Sequence, residues 1–353
     1  MFFTGTGRIL SIAFCFLVTV YMAGCKKEIQ APPELTTNAV TNIDTATAKC
    51  SGTILFDGGA TIIERGFKLD TLGSRISRDP ADTTIHTIKI NASNPFEVLI
   101  DSLRPGTAYF ICAYVKNSNE LISFGNIVLF TTKQGAANFV EDIDGNKYPT
   151  ITYHYQVSNL LPVKQVWMAA NLKVTRYNNG DVIQRIEDSA IWKNPPLGGA
   201  YCNYDNDTVN VETYGRLYNW EAVSNQKICP EGWHVPTGGD NSDWSTLVNY
   251  VLLYDDFNIA GGVFKEADTV HWSKPNSNAT NASGFTALPG GGRSGLDGSF
   301  NLIKYYGLFW TPTPNQNIPN NSWIYSLSYN GNQLNKLSSD KRSGLSVRCI
   351  KDN

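Results

Sequence analysis

Charge is scarce in this chain. Aspartate, glutamate, lysine and arginine make up 17% of its 353 residues, against roughly 25% in an average protein. The 29 basic and 31 acidic residues nearly cancel, leaving a net charge of −2. No basic field exists for nucleic acid, and none is expected as a partner. Histidine is scarcer still. His86, His154, His234 and His271 are scattered, with none at the i, i+4 spacing of a helical zinc pair. Neither a G-x-S-x-G elbow nor a P-loop occurs, and Gly290-Gly291-Gly292-Arg293 lacks the lysine that phosphate binding needs. The expectation is a protein that is no enzyme and carries no cofactor or metal. After the N-terminus, no apolar run is long enough to span a bilayer.

Asparagine, threonine, serine, glycine and aromatics take the place of charge, a composition that suits short strands joined by polar turns. The N-terminus is different. Ile9 to Met22 form an apolar run behind the single early charge of Arg8, and Ala23-Gly24-Cys25 closes it just before Lys26-Lys27. This resembles the signal peptide and lipobox of bacterial lipoproteins, in which small residues precede the cut and the cysteine thiol takes a diacylglycerol. The resemblance implies residues 1–24 as signal peptide, Cys25 as the lipid attachment site and 25–35 as a tether. The chain would then be an outer-membrane or cell-surface protein held to the membrane by its acyl chains. The alternative is an ordinary cleaved signal with a chance cysteine.

From residue 36 to 133 the chain alternates like short strands: Thr45–Ile54, Ile62–Lys68, Thr87–Ile90, Pro95–Ile100, Ala108–Val115 and Ile127–Thr131. Leu103-Arg104-Pro105-Gly106-Thr107-Ala108-Tyr109 resembles the turn of fibronectin type III domains, whose tyrosine hydroxyl bonds back to the preceding turn. Phe130-Thr131-Thr132 closes the segment as in that family. The resemblance implies a β-sandwich acting as a spacer. Period-two alternation argues against a Cys50–Cys112 bridge: Tyr109, Ile111 and Ala113 share the inner face, which turns Cys112 outward, while Cys50 lies with Ala48 toward the core.

Residues 134–139 read as a small-residue linker, and beyond it the chain carries ordered blocks. Asp142-Ile143-Asp144-Gly145-Asn146-Lys147-Tyr148 is followed by Val166-Trp167-Met168-Ala169-Ala170-Asn171-Leu172, then Gly199-Ala200-Tyr201-Cys202-Asn203-Tyr204. Next come Tyr214-Gly215-Arg216-Leu217-Tyr218-Asn219-Trp220 and Cys229-Pro230-Glu231-Gly232-Trp233-His234-Val235-Pro236. Gly284-Phe285-Thr286-Ala287-Leu288-Pro289 and Gly344-Leu345-Ser346-Val347-Arg348-Cys349 complete the set. Together they resemble the Fibrobacter succinogenes major paralogous (FISUMP) domain over residues 140–353. The fold class expected is thus mainly β with an α+β C-terminal domain: a fibronectin type III-like sandwich followed by a C-type lectin-like domain. The lectin-like relation also implies a Cys229–Cys349 disulfide, since the last strand of such folds returns beside the first part of the domain. Cys202 would be left over, or replace one of them.

The residues support part of this independently. Trp244, Leu247, Val248, Val251 and Leu252 fall on one helical face, with Asp240, Asn241 or Ser242 available as its cap. Leu217, Trp220 and Val223 read as a shorter helix. A calcium-bound sugar site of the lectin kind is disfavoured. Lys274-Pro275-Asn276 has lysine where an oxygen ligand belongs, and Trp323 is followed by Ile324-Tyr325 instead of Asn-Asp. Asp142-x-Asp144-Gly145-Asn146 reads as a β-turn, because Tyr153 stands where a twelfth-position glutamate would close a calcium loop. Asp205-Asn206-Asp207 reads as a solvated turn. The expected function is non-catalytic binding or adhesion to a polysaccharide or glycoconjugate. Trp192, Trp272 and Asn276 are the candidate ligand residues; Trp192 and Trp272 stand in polar loops, and the favoured alternative is that both merely plug those loops onto the core. An envelope protein partner is the alternative.

Overall fold

In the computed structural model, residues 31–71, 86–91, 93–135, 138–155, 163–195, 198–252 and 260–352 are described. The signal, Cys25 and the first part of the tether lie outside them. Among the described residues, seven strands build the first unit: β1 (Glu34–Thr37), β2 (Ala48–Phe56), β3 (Ile62–Asp70), β4 (His86–Lys89), β5 (Phe96–Ile100), β6 (Ala108–Asn117) and β7 (Ile122–Thr131). They divide into two sheets, ordered β1-β2-β5 and β4-β3-β6-β7. Ala48, Cys50, Phe67, Phe96, Ile111 and Val115 fill the space between them. The six strands read from alternation all form. The seventh, β1, carries too few apolar residues to be legible and begins inside the segment read as tether. It passes so close to β7 that a side chain on Gly125 would meet the Thr37 hydroxyl at 2.6 Å. The Thr37 hydroxyl accepts from Ala113 N at 2.9 Å, where the β6–β7 register shifts. The Tyr109 hydroxyl accepts from Arg104 N at 2.8 Å, which is the tyrosine corner expected of this turn.

Cys50 and Cys112 form no bridge. Cys50 belongs to the sandwich core, whereas Cys112 lies on the opposite face of β6, as alternation requires. That outer face is itself covered. Ala108, Phe110 and Cys112 join one buried cluster with Ile151, Tyr153, Phe264, Phe285 and Phe309 of the second unit.

The second unit begins with β8 (Phe139–Glu141), β9 (Lys147–Tyr155) and β10 (Val163–Met168). These pair in a five-stranded sheet with β14 (Trp233–His234) and β20 (Ile350–Lys351), in the order β14-β20-β10-β9-β8. The end of the chain therefore lies between elements from its beginning and middle. A smaller sheet joins β11 (Gln184–Arg185), β12 (Ala200–Cys202) and β13 (Leu217–Tyr218). A hairpin of β15 (Gly290–Arg293) and β16 (Phe300–Ile303) precedes the antiparallel meander β17 (Tyr306–Pro314), β18 (Asn321–Ser328) and β19 (Asn335–Asp340). Among the described residues, five short α-helices fill the gaps: α1 (Ser189–Lys193), α2 (Val209–Tyr214), α3 (Trp220–Ser224), α4 (Asp243–Leu252) and α5 (Ala260–Phe264).

Helix α4 forms where its apolar period placed it, burying Trp244 and Leu247. Of the three candidate caps, Ser242 serves: its hydroxyl accepts from Ser245 N at 3.1 Å, and the Ser245 hydroxyl accepts from Ser242 N at 2.7 Å. The shorter helix differs from expectation. Leu217 lies in β13, paired with Cys202, and α3 starts only at Trp220 behind an Asn219 cap. The sheet bonds available to Leu217 outweigh a three-residue apolar spacing.

Candidate functional site

The residues chosen from sequence as sugar platforms are interior. Trp192, on α1, is 1% exposed, and the Arg293 guanidinium stacks on its ring at 4.6 Å. Arg293 donates to Ile186 O at 2.7 Å, Glu187 O at 2.6 Å and Gly298 O at 2.9 Å. On the indole's edge, a Cβ on Gly344 would meet Trp192 at 2.8 Å. Trp272 is 2% exposed and donates its indole N–H to Ala287 O at 3.0 Å. Asn276, 5% exposed, donates its amide to the carbonyls of Glu266 and Asp268. These three residues fasten loops to the core, so none offers a face for stacking. A polar sequence neighbourhood marks the loop around a tryptophan, not the exposure of its ring.

The ordered blocks prove to be mutual supports. Arg348, 1% exposed, donates to Asn171 Oδ1 at 2.9 Å, to Thr286 O at 2.7 Å and to Phe285 O, with its guanidinium 4.1 Å from the Phe285 ring. Burial pushes its pKa down to about 9. The Asn171 amide donates in turn to Tyr214 O at 2.9 Å. Three of the blocks therefore meet at one guanidinium, and Asn171 links a fourth to it. Cys229 and Cys349 are joined, with Cα atoms 5.9 Å apart. Asp142 accepts from the backbone of Asp144 and Asn146 and from the Tyr148 hydroxyl. Its neighbour Asp144 is bound by Thr175 and Arg176. The segment is a turn whose carboxylates are already engaged.

A different surface has the makings of a site. Three segments converge beside β17 and β18: residues 273–277, the β16–β17 turn at Lys304-Tyr305, and the β18–β19 connection from Tyr329 to Leu334. Ser273 N donates to Lys304 O at 2.8 Å, Tyr329 N to Tyr305 O at 2.9 Å, and Ser277 N to Tyr329 O at 2.9 Å. Beneath them lies Lys265, fully buried at the end of α5. Its ammonium donates to Ser277 O, Ser328 O and Gly331 O at 2.9, 3.1 and 3.0 Å, using all three protons. Desolvation lowers its pKa to about 8. An ammonium with three fixed carbonyls is a rigid tie between two of the segments.

On this platform Tyr305 is 46% exposed and stands edge-to-face with the half-buried Tyr329, ring centroids 5.1 Å apart. Next to them Gly331, Asn332, Gln333 and Asn335 line an open depression of about 300 Å³. Asn332 Oδ1 itself is buried beneath the surface, without a hydrogen-bond donor among the described residues. Asn276 Oδ1, in the first segment, is likewise unpartnered. Sequence reasoning missed Tyr305, Tyr329, Asn332 and Lys265. The tyrosines sit in turns that carry no motif, and a lysine after Gly261-Gly262-Val263-Phe264 reads as a solvated charge. Among the described residues, no group of three or more histidine, cysteine, aspartate and glutamate side chains is placed to hold a metal ion.

Together, a sandwich mount and a loop-rich domain knitted by buried cations define the class. Residues 163–351, more than half of the chain, match the model of the Fibrobacter succinogenes major domain, and the chain belongs to that family. The match begins later than residue 140, although β8 and β9 pair into the same sheet. No curated protein matches the chain. Among solved structures, the sensor domain of the anti-sigma factor RsgI4 from Pseudobacteroides cellulosolvens is 20% identical, covering 30% of this chain and 98% of that one, with a TM-score of 0.23. A human FNIII domain is 19% identical over 30% of this chain and 83% of its own, with a TM-score of 0.24. The sandwich assignment stands on its own strand order and tyrosine corner.

Proposed function

We propose that this protein is a lipid-anchored, non-catalytic envelope component whose family domain binds polysaccharide on the Tyr305–Asn332 platform. The observation that carries this reading is an exposed tyrosine ring beside an open depression lined by the amide residues Asn332, Gln333 and Asn335. Sugars present apolar C–H faces to aromatic rings and hydroxyl donors to acceptors. The C-type lectin-like relation belongs to this proposal. It is supported by the return of β20 between β14 and β10 and by the disulfide that secures the return. Anchoring through Cys25 is supported by the Ala23-Gly24-Cys25 sequence alone; Cys25→Ser should move the protein from the membrane fraction to the soluble one, and unchanged fractionation would remove the anchor.

The binding test uses a soluble form spanning residues 31–353 on a panel of immobilised polysaccharides, with and without calcium. Selective, calcium-independent retention is expected, and Tyr305→Ala and Asn332→Ala should each abolish most of it. Retention that survives both changes would place binding elsewhere. Retention of nothing would favour an envelope protein partner, for which the sandwich offers Leu55 and Leu99, 65% and 63% exposed on the outer side of the β1-β2-β5 sheet.

A further inference from the structure

The charge around the platform differs from that of the whole chain. The protein carries a net charge of −2, yet the segments that build the platform hold Lys274, Lys304 and Lys336 and no carboxylate between residues 273 and 280, 301 and 306, or 328 and 336. All three lysines are exposed. The backbone bond from Ser273 to Lys304 brings Lys274 and Lys304 onto adjoining turns. Lys336 opens β19, with its ammonium 4.5 Å from the centre of the Trp323 ring. Below them Lys265 adds a fourth cation. Its bonds go to three carbonyls, so its charge is not cancelled by an acid. Of the carboxylates next in this network, Glu266 is held by His271 at 2.8 Å, and Asp268 meets Asn276 through its backbone carbonyl while its side chain is exposed. Hydroxyl-binding sites for neutral sugars commonly use carboxylates as acceptors. Here the acceptors are amide oxygens, and every ionised side chain of the three segments is positive.

We propose that the ligand of this platform is an acidic polysaccharide, bearing carboxylate or sulfate groups, in preference to a neutral one. The inference rests on the platform being the binding site. The tyrosine pair and the amides receive the sugar ring and its hydroxyls, and the lysines receive its anionic groups. A buried ammonium in a low-dielectric setting contributes a field that counterions screen less than they screen an exposed one. The charge is local, so the attraction belongs to this surface and not to the protein as a whole.

The test compares polymers that differ in charge alone: polygalacturonate with its methyl ester, and dextran sulfate with dextran. The soluble 31–353 form should bind both charged polymers about tenfold or more tightly than their neutral counterparts, and lose most of that preference between about 0.02 and 0.3 M salt. The double variant Lys274→Glu/Lys304→Glu should abolish the preference. Because both side chains are exposed, an unchanged melting curve verifies the fold. Binding to the carboxylated polymer alone or the sulfated one alone would identify the anionic group. Equal or tighter binding of the neutral polymers would overturn the inference while leaving polysaccharide binding intact. Binding to neither class at low salt would overturn both.

Discussion

His234 joins the end of the chain to the start of α4. Its Nδ1 lies 2.6 Å from Asp352 Oδ1, and its Nε2 lies 3.3 Å from Asp243 Oδ2. Asp243 also accepts from the Thr237 backbone and hydroxyl at 2.9 and 2.6 Å. With a carboxylate at each ring nitrogen, the imidazolium form satisfies both. The bonds to Asp243 and then Asp352 raise the pKa of His234, against the opposing cost of half-burial. A folded-state pKa above the unfolded value of about 6.5 stabilises the protein fully below that pH, and the contribution fades as pH rises through the folded value. Asp243 has a lowered pKa, so its own share disappears only in acid, below about pH 4. His234→Gln should therefore cost more stability at about pH 5.5 than at about pH 9. Urea midpoints of the two proteins at both pH values test this; an equal deficit would show that the imidazole acts by packing alone. His234 lies in one of the ordered blocks legible in the sequence. Its partner Asp352, more than a hundred positions away, carried no signal.

At the scale of elements, the Cys229–Cys349 disulfide secures a narrow junction in the second unit. It ties the segment before β14 to the segment before β20, across a sequence separation of 120 residues. Strand β20 has only two residues, paired with β14 on one side and Trp167 of β10 on the other. So short a strand cannot hold its place by backbone bonds alone. Cys229→Ser/Cys349→Ser should cost about 2–5 kcal/mol, read as a lower denaturation midpoint, and a reductant should bring the native protein to the same midpoint. No change in either case would mean that the strand is held by packing. Cys202 does not compete for this pairing. It is fully buried on β12, where burial pushes its thiol up to about 12 and keeps it protonated and inert. The cysteine pairing was reachable from family resemblance. The misread Leu217 was not, because a short apolar spacing fits a helix turn and a strand equally well.

At the scale of the molecule, the sandwich packs directly on the second unit. Beyond the shared cluster around Phe110 and Phe285, Thr152 N donates to Gly106 O at 3.1 Å, and the Thr131 hydroxyl donates to Ala282 O at 2.8 Å. A side chain on Gly284 would strike Thr131 at 2.7 Å. Interfaces between domains of one chain are usually more polar and leave the domains free to move. This one buries aromatic core. The full chain should unfold in a single calorimetric transition, and residues 138–353 alone should melt lower and bind a hydrophobic dye. Two separate transitions, or an isolated second unit as stable as the whole, would contradict this. The outward turn of Cys112 was legible from alternation. That its outward face lies against another domain was not, since an apolar residue on a second face reads the same whether it meets solvent or protein.

The sequence by itself determined the parts with a short period or a local pattern. Alternation set six sandwich strands, the i, i+3, i+4 spacing set α4, and the ordered blocks set the family. Tertiary structure decided what faces outward. Trp192 and Trp272 look like loop residues and are buried, while Lys265 looks like a surface charge and ties two loops from within. The platform around Tyr305 and Asn332 is assembled from three turns distant in sequence. Backbone periodicity is a near-neighbour property and is written locally. Exposure and convergence depend on which segments meet, and that is settled only when the whole chain closes on its core.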